Sequence, residues 1–376
     1  MVTTTSLASR VTAISGRVLT LDGEAAPGRG IVDRRAPRPY NPTEEDGSMT
    51  KRLTVAFCVL PAIVAVGSRT IDSQTRGSTD HRVTTAQYER WKKDLSNWGR
   101  WGKDDEIGTM NLITPAKRKQ AAALVKEGVS VSLASDPDTE KSVDNPNPYE
   151  HQMQGIGSDR WGVSYHGVAH THLDSLAHIN ESGVFFNGYK PDPDAVIKAN
   201  HHFKNSIHNL KDGIVTRGVL MDIPRLKGVP YLEQGTPIYV EDLEAWEKQA
   251  GVKVGPGDAL FVRTGVWARR KAVGPYARGR NAKDAGLDPS VIPWLKQRDI
   301  ALMGSDHPQY VSPSNITAAA HDFALVYLGV HLIDNCDLEA LSAAAAARRR
   351  WDFMLTMAPI PVVGGTGSPI NPIATF

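Results

Sequence analysis

The most informative segment of the chain lies between residues 165 and 178. It reads Tyr165-His166-Gly167-Val168-Ala169-His170-Thr171-His172-Leu173-Asp174-Ser175-Leu176-Ala177-His178. Four of the chain's 12 histidines fall within this one segment. Imidazole nitrogens and carboxylate oxygens are the usual protein ligands of zinc and manganese. Because a buried group of imidazoles around a carboxylate is costly without a metal ion, the segment predicts a metal site.

Two backbone geometries would align these side chains. On an extended strand every second side chain points to the same face, which would bring together His166, His170, His172 and Asp174. On a helix the four-residue spacing would align a different set, namely His166, His170, Asp174 and His178. We favour the strand, because glycine at 162 and 167 and β-branched residues at 168 and 171 disfavour a helix. The alternative to a metal site is a surface patch of histidines.

Outside this segment the chain alternates between helix and strand patterns. Thr114-Pro115 predicts the capped start of a helix over 116–127, with Gly128 as its stop. A second helix is expected over Glu241–Ala250, closed by Gly251. Apolar runs predict strands at 129–133, 218–223, 259–262 and 300–303. Residues 83–376 contain no linker or repeat, so we expect one mixed α/β domain there.

The N-terminal region has a different composition. Met49-Thr50-Lys51-Arg52 precedes an apolar run of about 14 residues from Leu53 to Val66, the layout of a secretory signal peptide at 49–67. The run is shorter than the roughly 18 to 20 residues that span a bilayer, so no stable membrane anchor is expected. We therefore expect Met49 to be the biological start and residues 1–48 to be a disordered extension without function. The pattern therefore predicts an exported protein, either periplasmic or extracellular.

Composition excludes several classes of function. The chain has 43 Lys+Arg and 41 Asp+Glu, a formal net charge of +2, which provides no basic field for nucleic acid. The partner is instead expected to be a small-molecule substrate. Two cysteines, Cys58 and Cys336, are too few and too far apart for a disulfide framework or a thiolate metal site. Any metal must therefore be held by histidines and carboxylates.

A resemblance to a known family starts at the histidine-rich segment. Thr171-His172-Leu173-Asp174, with His178 four positions after the aspartate, resembles the His-x-Gly-Thr-His-x-Asp-x-Pro-x-His signature of the metal-dependent cyclase family. This family includes bacterial kynurenine formamidase and isatin hydrolase. The similarity extends from Asn97-Trp98-Gly99-Arg100-Trp101-Gly102 to Gly364-Gly365-Thr366-Gly367-Ser368-Pro369. It implies a swivelling β/β/α fold with a barrel-like sheet core and outer helices, and a homo-oligomer, with a dimer favoured.

The resemblance also implies roles for individual residues. His172 and Asp174 match two metal ligands of the family, and His178 matches its general base. The family's first ligand falls on Val168, which cannot bind a metal, so either His166 or His170 is expected to replace it.

A second half of the site is implied further along the chain. His321 matches a histidine of the family, and Asp334 stands where the family has a glutamate. Because Asp334 is one methylene shorter, the change favours one ion or a differently occupied pair of ions. The donors suit zinc or manganese, and iron is also compatible with them.

The implied activity is a metal-dependent hydrolysis of a small amide or lactam, such as an aryl formamide or a fused cyclic amide. Water activated by the metal would attack, and His178 would act as general base. Three aromatic residues could wall a pocket for an aromatic substrate: Trp98, Trp101 and Phe186. An ester or lactone hydrolase with the same site is the alternative enzyme. A non-catalytic exported relative that binds a metal or ligand is the alternative of a different class.

Overall fold

A nine-stranded mixed sheet forms the centre of the protein. The computed structural model describes residues 80–376, so the expectations for residues 1–67 lie outside the described residues. The strands are β1 (Ser130–Ser132), β2 (Glu150–Gly155), β3 (Ser158–Gly162), β4 (His172–Asp174), β5 (Ile214–Asp222), β6 (Pro237–Ile238), β7 (Ala259–Arg263), β8 (Gly286–Leu287), β9 (Leu302–Ser305), β10 (His331–Asp334), β11 (Asp352–Met357), β12 (Gly367–Pro369) and β13 (Ile373–Thr375). Their order in the large sheet is β1-β13-β11-β5-β7-β9-β10-β4-β12, while β2 pairs with β3 and β6 with β8.

Helices surround this sheet. Those of the described residues are α1 (Thr85–Asp94), α2 (Pro115–Ala122), α3 (Pro193–Ala199), α4 (Ile223–Lys227), α5 (Val240–Ala250), α6 (Val266–Val273), α7 (Ile292–Arg298), α8 (Ala319–Phe323) and α9 (Glu339–Arg348). A π-helical turn continues α8 over Ala324–Leu328. Within 80–376, none of the helices combines the length and the apolar character needed to cross a membrane.

The central strands are buried on both faces. In β5, Val219 packs into one apolar cluster and its neighbour Leu220 into a second cluster. In β10, Leu332 and Ile333 divide between the same two clusters. This alternation follows from the two-residue period of a strand, and it explains why these strands read as continuous apolar runs. The predicted mixed α/β class is confirmed.

Most of the predicted elements are present with shifted ends. The four predicted strands correspond to β1, β5, β7 and β9, and α5 ends at Gly251, whose φ of 64° suits a glycine stop. Thr114 caps α2 as expected, but the helix ends at Ala122 rather than at Glu127. After Ala122 the chain forms tighter turns, with the N–H groups of Leu124 and Val125 donating three residues back at 3.0 and 3.2 Å, and the N–H groups of Glu127 and Gly128 then donate to the carbonyl of Phe376 at 3.1 and 2.9 Å.

The prediction of one long strand through the histidine-rich segment is wrong. Only His172–Asp174 is a strand, and residues 166–170 form an irregular loop. Gly167 has a φ of 139°, which side-chain-bearing residues rarely adopt and which takes the chain out of the extended path. His166 and His170 therefore do not share a face with His172 through strand alternation.

Close packing between β5 and β11 gives a test of the core. A Cβ atom at Gly218 would lie 2.3 Å from the ring of buried Phe353. We expect Gly218→Ala to lower the free energy of unfolding by about 1–3 kcal/mol through overpacking. Urea unfolding followed by circular dichroism measures this. Gly157→Ala is the matched control, since a Cβ there meets nothing within 4 Å; equal effects of the two variants would contradict the packing.

Candidate metal centre

The neighbouring strands β4 and β10 carry one imidazole and two carboxylates of the site. In the antiparallel register of β4 and β10, Asp334 lies opposite His172 and Leu332 lies opposite Asp174. Leu173 packs into one apolar cluster and Leu332 into the other. His172, Asp174 and Asp334 consequently project from the same face of the sheet. All three side chains are almost completely buried.

Asp174 is the centre of the cluster. Its Oδ1 atom lies 3.0 Å from Nδ1 of His166 and 3.3 Å from Nε2 of His172. Its Oδ2 atom lies 3.5 Å from Nε2 of His321 and 3.9 Å from Nε2 of His178. His321 comes from α8, and its Nε2 atom is also 3.7 Å from Oδ2 of Asp334. Four histidines, from the loop before β4, from β4 itself, from the turn after it and from α8, therefore surround one buried carboxylate.

These separations fit ligands that share a metal ion. Two ligand atoms each about 2.0–2.2 Å from one ion are roughly 3–3.6 Å apart, close to most of the distances around Asp174. Both carboxylate oxygens of Asp174 are buried and have no hydrogen-bond partner, which is costly for a charged group left by itself. Two overlapping triads in the described residues could each hold an ion: His166, Asp174 and His178, and His172, Asp174 and Asp334. The residues present fit a divalent metal.

Three histidines of the cluster form a hydrogen bond through the ring nitrogen that points away from Asp174. This bond determines which ring nitrogen faces the cluster. Nδ1 of His172 lies 2.8 Å from the carbonyl oxygen of His170, so it carries the proton and leaves the Nε2 lone pair toward Asp174. His321 is oriented in the same way, with Nδ1 3.0 Å from the carboxylate of Asp322. Nε2 of His166 lies 2.9 Å from Oγ1 of Thr366. Such partners typically orient metal-binding histidines.

Buried charge separates the imidazoles into two kinds. Burial opposes protonation of His172, but the charge of Asp174, and then that of Asp334, raises its pKa to about 9. Burial lowers the pKa of His178 to about 4 against the attraction of Asp174, with His166 and His321 adding repulsion. Burial alone would raise the pKa of Asp174, but His178 and His172, which are both protonated at the acid pH where this carboxyl titrates, hold it well below its usual range. His178 is therefore a neutral imidazole near pH 7.

One side of the cluster is open. The side chains of His166 and His178 are 28% and 23% exposed, whereas those of His172 and Asp174 are at most 1% exposed. The two exposed rings are stacked, with centroids 3.7 Å apart and planes inclined by 3°. A small molecule would therefore reach the cluster from the side of His166 and His178.

The structure separates the two histidines that could replace the ligand lost at Val168. His166 lies against Asp174, whereas Nε2 of His170 lies 3.1 Å from the carbonyl oxygen of Asn147, outside both triads. Val168 offers only its carbonyl oxygen, which accepts a hydrogen bond from Arg278. His166, rather than His170, is thus placed to complete the cluster.

The three aromatic residues expected to wall a substrate pocket have other surroundings. Phe186 is completely buried in the apolar core. The indole of Trp98 donates to the carbonyl of Val326 at 2.7 Å, and Trp101 lies beside the guanidinium of Arg100. A role for these rings in binding substrate stays a prediction.

Sequence reasoning missed two polar side chains that contact the cluster. Asp322 orients His321 and forms a bidentate pair with Arg280, at 3.0 and 2.6 Å. Its position directly after His321 is the signal that could have found it. Thr366 lies in the glycine-rich segment directly before β12, and its contact with His166 depends on the path of that strand.

Comparison with known proteins identifies the family. The sequence profile of the family described as "Putative cyclase" matches residues 129–310. The crystal structure of a novel cyclase is 30% identical, and its match covers 75% of this chain and all of that one, with a TM-score of 0.66. The chain belongs to the cyclase family. The open nine-stranded sheet with outer helices is accordingly the cyclase-family fold that the resemblance implies.

More distant structures of the same kind also match. Isatin hydrolase A from Ralstonia solanacearum is 16% identical, covering 65% of this chain and 91% of that one, with a TM-score of 0.45. Isatin hydrolase A from Labrenzia aggregata, bound to benzyl benzoate, is 18% identical, covering 68% and 96%, with a TM-score of 0.47. Comparison with curated proteins gives no match.

The two histidines of the loop give a direct test of the cluster in this cyclase-family protein. We expect His166→Ala to weaken zinc binding by at least the roughly 10- to 100-fold that loss of a ligand-orienting partner costs, because it removes a nitrogen 3.0 Å from Asp174. His170→Ala is the matched control and should leave the affinity unchanged. Competition with a chromophoric chelator measures both. A larger loss of zinc affinity in His170→Ala than in His166→Ala would contradict the placement of His166 against Asp174.

Proposed function

We propose that this cyclase-family protein is a metal-dependent hydrolase that cleaves the C–N bond of a small non-peptide amide. Aryl formamides and fused cyclic amides are the expected substrates. The observation that carries the proposal is the buried carboxylate of Asp174, which has no hydrogen-bond partner and is surrounded by four imidazoles. The amide class is supported by the sequence resemblance to a family that includes kynurenine formamidase and isatin hydrolase.

The distances around Asp174 support the proposed ligand set. His172, Asp174 and Asp334 would hold one ion, and His166 and His321 lie within reach of the same carboxylate. When bound, a divalent ion polarises a carbonyl group and lowers the pKa of a water molecule toward neutrality. Zinc and manganese suit these donors, and one or two ions are compatible with the overlapping triads.

His178 is proposed to move the proton. Its ring is neutral near pH 7, since burial lowers its pKa to about 4, and a neutral imidazole can accept a proton from the attacking water. Its partial exposure lets it reach both water and substrate. The proton would then pass to the leaving nitrogen, which must be protonated before an amine can depart. Parallel stacking on His166 holds the ring in position during both transfers.

The proposed function is tested first on the full-length chain. Mass spectrometry should detect one or two tightly bound divalent ions, and these should be absent from a His172→Ala, Asp174→Ala double variant. The metal-loaded protein should hydrolyse formanilide or a fused lactam faster than the double variant does. A folded wild-type protein that takes up neither zinc nor manganese would refute the hydrolase, and turnover of esters and lactones alone would favour the alternative enzyme.

His178 gives the sharpest kinetic test. We expect His178→Gln to lower kcat by about 100-fold or more while the metal content stays unchanged, because it removes the proton acceptor and leaves Asp174 and His172 in place. Steady-state kinetics and metal analysis on the same sample measure both quantities. His151→Gln, on the exposed β2–β3 hairpin, is the control. Loss of metal together with activity in His178→Gln would make His178 a ligand and not a base. A wild-type protein that binds metal but turns over no substrate would favour a binding protein.

Two further properties are proposed on the sequence pattern alone. The signal-peptide pattern at 49–67 supports export, and the family resemblance supports a homodimer.

A further inference from the structure

We propose that Asn335 is a positioning residue that ties the loop of residues 165–171 to the end of β10 and so sets the geometry of two histidines of the metal centre. The inference rests on the proposed function, because it concerns how the chain holds the same metal cluster. Asn335 directly follows Asp334 and belongs to neither triad. Its role is therefore distinct from that of a ligand.

Asn335 makes three hydrogen bonds to this loop. Its side-chain amide donates to the carbonyl oxygen of Gly167 at 2.7 Å and to that of His170 at 3.1 Å. Its own backbone carbonyl accepts a hydrogen bond from Oγ1 of Thr171 at 2.7 Å. Both groups facing the side chain are acceptors, so the orientation of the amide is determined: Nδ2 must face the loop. Residues 167–171 are outside regular secondary structure, so these hydrogen bonds take the place of the backbone hydrogen bonds that a sheet would provide.

The position requires an unusual residue. Asn335 is completely buried and has a φ of 57°, a left-handed conformation that asparagine tolerates better than most residues with a side chain. This turn ends β10 immediately after Asp334, and it places the amide against the loop. The residue therefore combines a backbone turn with a double donor, two properties that few other side chains offer together.

The hydrogen bonds of Asn335 lead directly to two cluster histidines. The carbonyl oxygen of His170 accepts from Nδ2 of Asn335 and is also 2.8 Å from Nδ1 of His172. Holding this oxygen in place therefore fixes both the ring orientation and the tautomer of His172. The carbonyl of Gly167 follows His166 in the chain, and its hydrogen bond restrains the backbone that places Nδ1 of His166 against Asp174.

The test compares two buried asparagines with left-handed backbones. Asn335→Gly keeps the backbone conformation accessible and removes the amide. Asn205→Gly is the matched control: Asn205 is buried, has a φ of 61°, and donates from Nδ2 to the carbonyl of Phe186 at 3.1 Å, outside the cluster. Thr171→Val removes the third hydrogen bond of Asn335, together with the contacts of Oγ1 with the backbone N–H and the hydroxyl of Ser135, at 3.0 and 3.2 Å. Ser135→Ala, which removes only the hydroxyl, is its control, and this pair decides the question if Asn335→Gly does not fold.

Zinc affinity by chelator competition and the visible absorption spectrum of the cobalt-substituted full-length protein are the readouts. We expect Asn335→Gly to lower zinc affinity by about 10- to 100-fold and to change the cobalt spectrum, as loss of a ligand-orienting partner does. Thr171→Val should shift both in the same direction by a smaller factor. Asn205→Gly should lower the melting temperature without altering either readout, because a purely structural role does not change the coordination geometry.

The outcomes separate this inference from the proposed function. Unchanged affinity and spectrum in Asn335→Gly, or in Thr171→Val if the former does not fold, would overturn the inference while leaving the metal centre intact. Equal losses in Asn335→Gly and Asn205→Gly would also overturn it, since they would reflect general destabilisation. Failure of the wild-type protein to bind zinc or cobalt would overturn the proposed function and this inference with it.

Discussion

The buried carboxylate of Asp174 is the constraint on which the rest of the site depends. A charged group inside a protein costs several kcal/mol unless opposite charge and hydrogen bonds compensate it. Asp174 is completely buried, and neither of its oxygens has a hydrogen-bond partner. The neighbouring imidazoles supply part of the opposite charge, since the charge of Asp174 raises the pKa of His172 although burial opposes it. A divalent ion would supply it more completely and would replace those protons.

The sheet makes this concentration of charge possible. Leu173 points into one apolar cluster, so its neighbours His172 and Asp174 must point to the opposite face. The antiparallel register with β10 then brings Asp334 opposite His172, and the parallel partner β9 anchors β10 in the core. Rigid strands therefore hold the most deeply buried groups. The more exposed groups, His166 and His178, come from a loop and a turn on either side of β4.

One departure from the family signature, valine at 168, falls in the loop before β4. The resemblance implies a metal ligand at this position, which valine cannot supply, and the imidazole of His166, two residues earlier in the chain, lies 3.0 Å from the carboxylate of Asp174. A side chain on an irregular loop can be placed only as accurately as the loop is held. The hydrogen bonds from Arg278 and Asn335 to successive carbonyls of this loop provide that support. The position of His166 against Asp174 thus depends on how this loop is anchored.

Local sequence pattern was enough to place several parts of the protein. Alternation around Leu173 identified His172 and Asp174 as neighbours on one face, and cap residues such as Thr114 and Gly251 located helix ends. Local pattern does not show which of His166 and His170 approaches Asp174. The path of their loop depends on the backbone angle at Gly167 and on hydrogen bonds from residues more than a hundred positions away in the chain. Local propensity cannot encode such long-range contacts. The same reason explains why local pattern does not reveal the approach of His321 to Asp174, which are 3.5 Å apart in the folded chain.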